Sequence, residues 1–144
     1  GQPSSRLAAA IGAGLRHFGE NRVQEAQGRW GALKATHPGV ELRLIGPLQT
    51  NKAADAVGLF DVIETLDRPK LADALADAMA KQGRALPCLI QVNTGEESQK
   101  AGVFPRELEA LLRHAREQAG LTILGLMGVP PVDAAPAPHF AFLH

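Results

Sequence analysis

The sequence predicts an α/β fold built on a largely parallel sheet. Three observations lead there. Short apolar runs alternate with longer stretches of helical periodicity, the β-α-β-α order of such folds. The runs show little polar alternation (Leu86-Pro87-Cys88-Leu89-Ile90 is one), as strands do when both faces of their sheet are covered. The connections are short and rich in Gly, Pro, Asn and Asp. A doubly wound open sheet and a (β/α)8 barrel both satisfy this pattern.

The elements follow in order. Pro3-Ser4-Ser5 precedes Leu7, Ala8, Ile11 and Leu15, a capped helix with one apolar face that Gly12 and Gly14 thin toward its end. His17-Phe18-Gly19 has room only for a small strand. A second helix is expected over 20–35, with Val23, Ala26 and Trp30 on one side and His37-Pro38-Gly39 as its breaker. Residues 40–45 read as a strand ending at Gly46-Pro47, followed by a short helix through Val57 capped by Thr50 or Asn51. Residues 59–65 read as the next strand, and Asp67 as the cap of an Ala/Leu-rich helix reaching about Lys81. A strand over 87–92, a polar loop over 93–102, a helix over 105–119 and a strand over 121–127 complete the pattern. Residues 129–138 are proline-rich and loop-like, and 139–144 open a further helix.

The 144 residues suffice for one domain, 1–144, with a true hydrophobic core. Lys and Arg total 15 and Asp and Glu total 15, so no net field draws the chain to nucleic acid or an anionic membrane. No apolar run approaches the ~20 residues that span a bilayer, and the N-terminus shows no signal-peptide pattern. Cys88 is alone, so it forms no internal disulfide; a reducing, cytoplasmic setting is expected, with Cys88 a buried strand residue rather than a nucleophile. A closed eight-stranded barrel takes about 250 residues, so a barrel reading makes this chain a partial one.

The residues that could carry chemistry gather after the strands. Four segments do so: Phe18-Gly19-Glu20-Asn21, Ile45-Gly46-Pro47-Leu48-Gln49-Thr50-Asn51-Lys52, Gln91-Val92-Asn93-Thr94-Gly95 and Gly125-Leu126-Met127-Gly128-Val129-Pro130. In parallel α/β sheets and barrels, ligands bind at these carboxyl ends. Ordinary turn chemistry explains any one segment; their recurrence after successive strands is what points to a small-molecule site. Asn21 either caps a helix or offers its amide to a ligand. Gly46-Pro47 lets backbone approach a flat ligand closely. Lys52 either meets an anion or is solvated. Residues 95–102 lack the Gly-Lys-Ser/Thr ending of a phosphate loop, and no Gly-rich dinucleotide fingerprint is present. The five histidines have no partners at metal-ligand spacing, no nucleophile elbow occurs, and an absence of tyrosine with few other aromatics argues against base stacking.

At these same segments the chain resembles the pyridoxal phosphate homeostasis family, relatives of the N-terminal barrel of alanine racemase. The resemblance lies in Arg16-His17-Phe18-Gly19-Glu20-Asn21-Arg22-Val23-Gln24-Glu25-Ala26 and Leu44-Ile45-Gly46-Pro47-Leu48-Gln49-Thr50-Asn51-Lys52. It continues in Leu89-Ile90-Gln91-Val92-Asn93, Ser98-Gln99-Lys100-Ala101-Gly102 and Gly125-Leu126-Met127. These occur in family order over nearly the whole chain. The resemblance implies an incomplete (β/α)8 barrel of the TIM type that binds pyridoxal 5'-phosphate (PLP) as a lysine aldimine and serves cofactor homeostasis without established turnover. It implies cofactor contacts at Asn21, Ile45, Gly46 and Met127, and a secondary contact or surface role for Lys100. The Schiff-base lysine is expected just before Gly1, so Lys34, Lys52, Lys70, Lys81 and Lys100 are not assigned that role. Arg43 departs from the family's frequent His, which alters hydrogen bonding beneath the pocket or only the strand's surroundings.

The expected partners are PLP and the apo forms of PLP-dependent enzymes, with no nucleic acid, no membrane and a monomeric state. No residue in the chain looks like a second catalytic base over the cofactor, so the reading is of a carrier. A PLP-dependent amino-acid racemase or decarboxylase-type enzyme is the alternative, and a nucleotide-binding α/β module a more distant one.

Overall fold

The computed structural model describes residues 3–95 and 101–128. Five strands form one sheet: β1 (His17–Glu20), β2 (Glu41–Leu44), β3 (Val62–Leu66), β4 (Cys88–Val92) and β5 (Ile123–Gly128). They lie in chain order, each parallel to the next. This order bears out the barrel that the resemblance implies, over the doubly wound sheet that the element pattern alone also allowed. A doubly wound sheet reverses its order at a switch point, whereas a barrel adds each strand beside the last.

The helices follow the same progression. They are α1 (Pro3–Gly12), α2 (Val23–Thr36), α3 (Ala53–Leu59), α4 (Pro69–Gln82) and α5 (Leu108–Arg113), and α1 packs on α2, α2 on α3, and α3 on α4. A right-handed crossover repeated without reversal places every helix on one side of the sheet. Leu42 and Leu44 of β2 and Ile63 of β3 are 0% exposed beneath that layer.

Local chemistry sets the boundaries. Helix α4 has Pro69 at its first turn and ends at Gly83, whose left-handed backbone (φ +64°) closes it. Its buried residues Leu71, Ala72, Leu75 and Ala78 follow the helical repeat. Several expected boundaries move. Helix α2 begins at Val23 rather than Glu20, because Glu20 belongs to β1 and is buried there. Its N-cap is Arg22, with no side-chain cap bond, so Asn21 does not cap it. Neither Thr50 nor Asn51 caps α3; both lie in a 3-10 turn, Thr50–Lys52, that leads into it. Asp67 does not cap α4; Arg68 holds that position and Asp67 bonds elsewhere. Leu15 falls beyond α1 and is 57% exposed. Strand β3 starts at Val62 because α3 runs to Leu59. The helix expected over 105–119 divides into a 3-10 turn, α5 and a π turn over His114–Gln118. The segments expected over 129–138 and 139–144 lie outside the described residues.

Two polar anchors tie the layers. Asp61 accepts from Lys34 at 2.9 Å, Arg84 at 3.0 Å and the Leu42 amide at 2.8 Å, joining α2, β2 and the chain after α4. Glu20, 7% exposed, accepts from Arg29 at 2.5 Å and from the Trp30 indole at 2.8 Å. Trp30 is wholly buried and meets the Phe18 ring at 4.8 Å between centroids. The Phe-Gly-Glu segment therefore locks β1 onto α2.

Cys88 is fully buried in β4, the place the sequence assigns it, and burial pushes its thiol up to about 12. The thiolate is the reactive form. Iodoacetamide is therefore expected to leave Cys88 unlabelled in the folded protein at pH 8 and to label it fully in denaturant. Rapid native labelling seen by mass spectrometry would contradict this burial.

Candidate functional site

Parallel strands put all their carboxyl ends along one edge. That edge carries Asn21 after β1, Ile45 and Gly46 after β2, Asp67 and Arg68 after β3, Asn93 and Thr94 after β4, and Met127 near the end of β5. The segments singled out in the sequence do converge.

Cα partners across parallel strands carry side chains on one face. His17 pairs with Glu41, Gly19 with Arg43, Arg43 with Val62, Leu89 with Gly125, and Gln91 with Met127. These residues face away from the helices. On this inner face β1, β2 and β3 carry a charged ladder. The His17 ring nitrogen meets Glu41 at 2.8 Å, and Arg43 donates to Glu41 at 2.9 Å and to Glu64 at 3.0 Å. Arg43 is thus held by two carboxylates, one on its own strand and one on β3, one step below Ile45.

The hydrogen bond from His17, and then that from Arg43, holds the Glu41 carboxyl below its ordinary 4.5. A depressed folded value stabilises the fold above the unfolded value, and that contribution is lost as pH falls through the folded one. The wild-type protein is therefore expected to lose stability as pH drops below about 4.5, and Glu41→Gln to lose less over that interval. Equal pH profiles of melting temperature for the two proteins would refute it.

Ile45 and Gly46 are brought against β1. Ile45 lies two residues beyond Arg43 on the same face, and its Cδ1 sits 3.0 Å from where a Cβ on Gly19 would stand. Its side chain stays 40% exposed, an apolar group left uncovered at the rim. A Cβ on Gly46 would lie 2.1 Å from the Asn21 carbonyl oxygen, so only glycine lets these two loops touch. Asn21 and Pro47 line a groove of about 680 Å³ with Arg22, Gln49, Lys52 and the first turn of α2. Met127 stands apart from this cluster, on β5 beside Gln91. Lys100 lies outside the described residues.

The sequence reading passed over the end of β3. There Arg68 bonds Asp67 at 2.7 Å and the Leu48 carbonyl at 2.8 Å, while Asp67 accepts the Gly102 amide at 3.1 Å. Three strand-end loops are tied by this pair. The rule that ligands meet strand ends would have singled it out had it been applied to every strand. Gly102 itself has φ +114°, and a Cβ there would lie 2.7 Å from the Asn93 nitrogen. This close approach joins Val103 to β4 through Val103 N–H to Gln91 O and Asn93 N–H to Val103 O, both 2.8 Å.

Among the described residues no three His, Cys, Asp or Glu side chains are grouped to hold a metal ion, and no helix is long and apolar enough to cross a membrane.

Comparison with known proteins agrees with this architecture. The family model "Alanine racemase, N-terminal domain" matches residues 3–141. The pyridoxal phosphate homeostasis protein of Haemophilus influenzae is 37% identical over 133 residues, covering 92% of this chain and 56% of that protein. That of Escherichia coli K12 is 38% identical over 139 residues, covering 92% and 57%. The chain thus spans a little over half the length of these curated relatives. PipY of Synechococcus elongatus superposes with TM-score 0.86 without PLP and 0.83 with PLP bound, at 36% identity. Each superposition covers 97% of this chain, and 65% and 64% of PipY respectively. An alanine racemase of Clostridium difficile, 9% identical with TM-score 0.70 over 97% of this chain and 37% of its own, shares the fold. The five strands and their helices are therefore part of an alanine racemase-type α/β barrel, and the chain belongs to the alanine racemase N-terminal domain family, beside the pyridoxal phosphate homeostasis proteins.

Proposed function

We propose that this chain forms one wall of a PLP pocket in a protein that holds and buffers the cofactor in the cytoplasm. The observation that carries this is the uncovered Ile45, resting on Gly19 and flanked by Asn21 and Gly46 at the mouth of the barrel. An exposed apolar side chain among close-packed backbone suits the face of a flat pyridine ring. The Asn21 amide, which donates and accepts, suits that ring's polar substituents. PLP supplies a reactive aldehyde; in this reading the lysine amine that takes it precedes Gly1. The described residues orient the ring, and Met127 packs at its margin. Support comes from the relatives' names and from PipY, whose structure contains PLP.

A carrier needs a grip on the cofactor but no acid or base poised over it. The described inner face offers Glu41, Arg43 and Glu64 already engaged with one another. The same reading makes the protein a monomer whose partners are apo PLP-dependent enzymes. Titration of the intact protein with PLP, followed by absorbance and equilibrium dialysis, is the test. Saturable binding that Asn21→Ala weakens about tenfold is expected, from loss of a contact worth roughly 1 kcal/mol or somewhat more. A protein that leaves PLP free at micromolar concentrations overturns the proposal. The alternative racemase reading predicts exchange of an amino acid's α-proton in deuterated buffer; no exchange is expected.

A further inference from the structure

Two buried polar atoms among the described residues have no hydrogen-bond partner: Thr65 Oγ1 and Gln91 Oε1. Thr65 is 1% exposed and Gln91 6%. Such atoms cost stability when nothing meets them. Buried Glu20, by contrast, has both oxygens bonded. Thr65 and Gln91 also lie on adjacent strands. Leu66 pairs with Ile90, and the register is irregular between Ile63 and Leu66, the stretch that holds Thr65.

The direction of Gln91 follows from register. Ile63, in the core beneath the helices, pairs with Cys88, so Leu89 and Gln91 alternate to the inner face. Gln91 shares that face with its partner Met127. It therefore sits in the interior, in the strand layer just below Asn93 and Thr94 at the rim.

We infer that Gln91 is a further ligand-contacting residue, and that its carboxamide meets the polar edge of the cofactor ring rather than the phosphate. This rests on the PLP reading above. A carboxamide both donates and accepts, matching a ring hydroxyl or pyridine nitrogen. A phosphate dianion instead calls for cations or several convergent amide N–H groups. Gln91's inner-face neighbours across β5 are Met127 and Gly125, and neither supplies charge.

The test separates a ligand role from a structural one. Gln91→Leu keeps the volume and removes the unpartnered carboxamide oxygen. The apo protein is expected to melt at the wild-type temperature or a few degrees higher. PLP and phosphate-free pyridoxal are both expected to bind about tenfold more weakly. Competition of inorganic phosphate for the site should be unchanged. Should Gln91→Leu not fold, Gln91→Asn, which keeps the amide but shortens its reach, is expected to lose the same affinity. Wild-type affinity in the variant, or a fall confined to PLP with pyridoxal unaffected, overturns the inference. A lower apo melting temperature with unchanged PLP affinity assigns Gln91 to the scaffold and also overturns it. A wild-type protein that binds no PLP rejects the underlying reading instead, and is seen before any variant is made.

Discussion

Alanine at position 46 is expected to disrupt both the fold's rim and its ligand site. The added Cβ would stand 2.1 Å from the Asn21 carbonyl oxygen and 2.9 Å from its Cα. Those atoms are backbone, so no rotamer change relieves the overlap. One of two loops must move, and each follows a strand paired to the other. Overpacking of this kind costs about 3 kcal/mol, roughly 10 °C in melting temperature for a chain of this size. Because the displaced loops carry Asn21 and Ile45, PLP affinity is expected to fall further than stability alone requires. Thermal melting and PLP titration check the two effects separately. Gly28 is the control: a Cβ there meets nothing within 4 Å, and Gly28→Ala in the middle of α2 should be neutral or stabilising. Equal behaviour of the two variants would show that the loops are not interleaved.

The second large effect is expected at Trp30. Its side chain is 0% exposed, packs on Phe18 and donates to Glu20 at 2.8 Å. Trp30→Ala should cost about 3–5 kcal/mol from lost packing and the cavity left behind. It also leaves Glu20 Oε2 without its donor inside the core, which adds to the loss. A domain of ordinary stability, about 5–15 kcal/mol, would be left near its unfolding threshold. Trp30→Phe retains most of the apolar bulk but not the N–H, and should cost about 1–3 kcal/mol. Denaturant melts order the three proteins; a Phe variant as unstable as the Ala variant would assign the energy to the hydrogen bond instead of to packing. Glu20 immediately precedes Asn21, so both variants should also weaken PLP binding before they unfold the chain.

Glu20 also shows where reading along the chain reaches its limit. As a charged residue between a short apolar run and a helical stretch, it looks like the start of a helix. In the fold it ends β1, because two donors ten residues and less away in sequence, on the next helix, neutralise and bond it. Asp67 is the same case: a residue with good capping chemistry is claimed by Arg68 and by the Gly102 amide, 35 residues away. Local propensity is weaker than a charge-assisted bond formed on folding. Gly46 was legible as a place of close approach, but what approaches it, the Asn21 backbone, was not.

What the sequence alone determined is the alternation of elements, the parallel sheet and the strand-end positions of Asn21, Ile45, Gly46 and Met127, because periodicity and turn chemistry are properties of neighbours along the chain. What only the tertiary structure decided is the register between the strands, the contact of Gly46 with Asn21, the charged ladder from His17 to Glu64 and the unpartnered Oε1 of Gln91. Each of these depends on which strand lies beside which and in what register. Pairing of that kind joins residues twenty or more positions apart, and no local pattern encodes it.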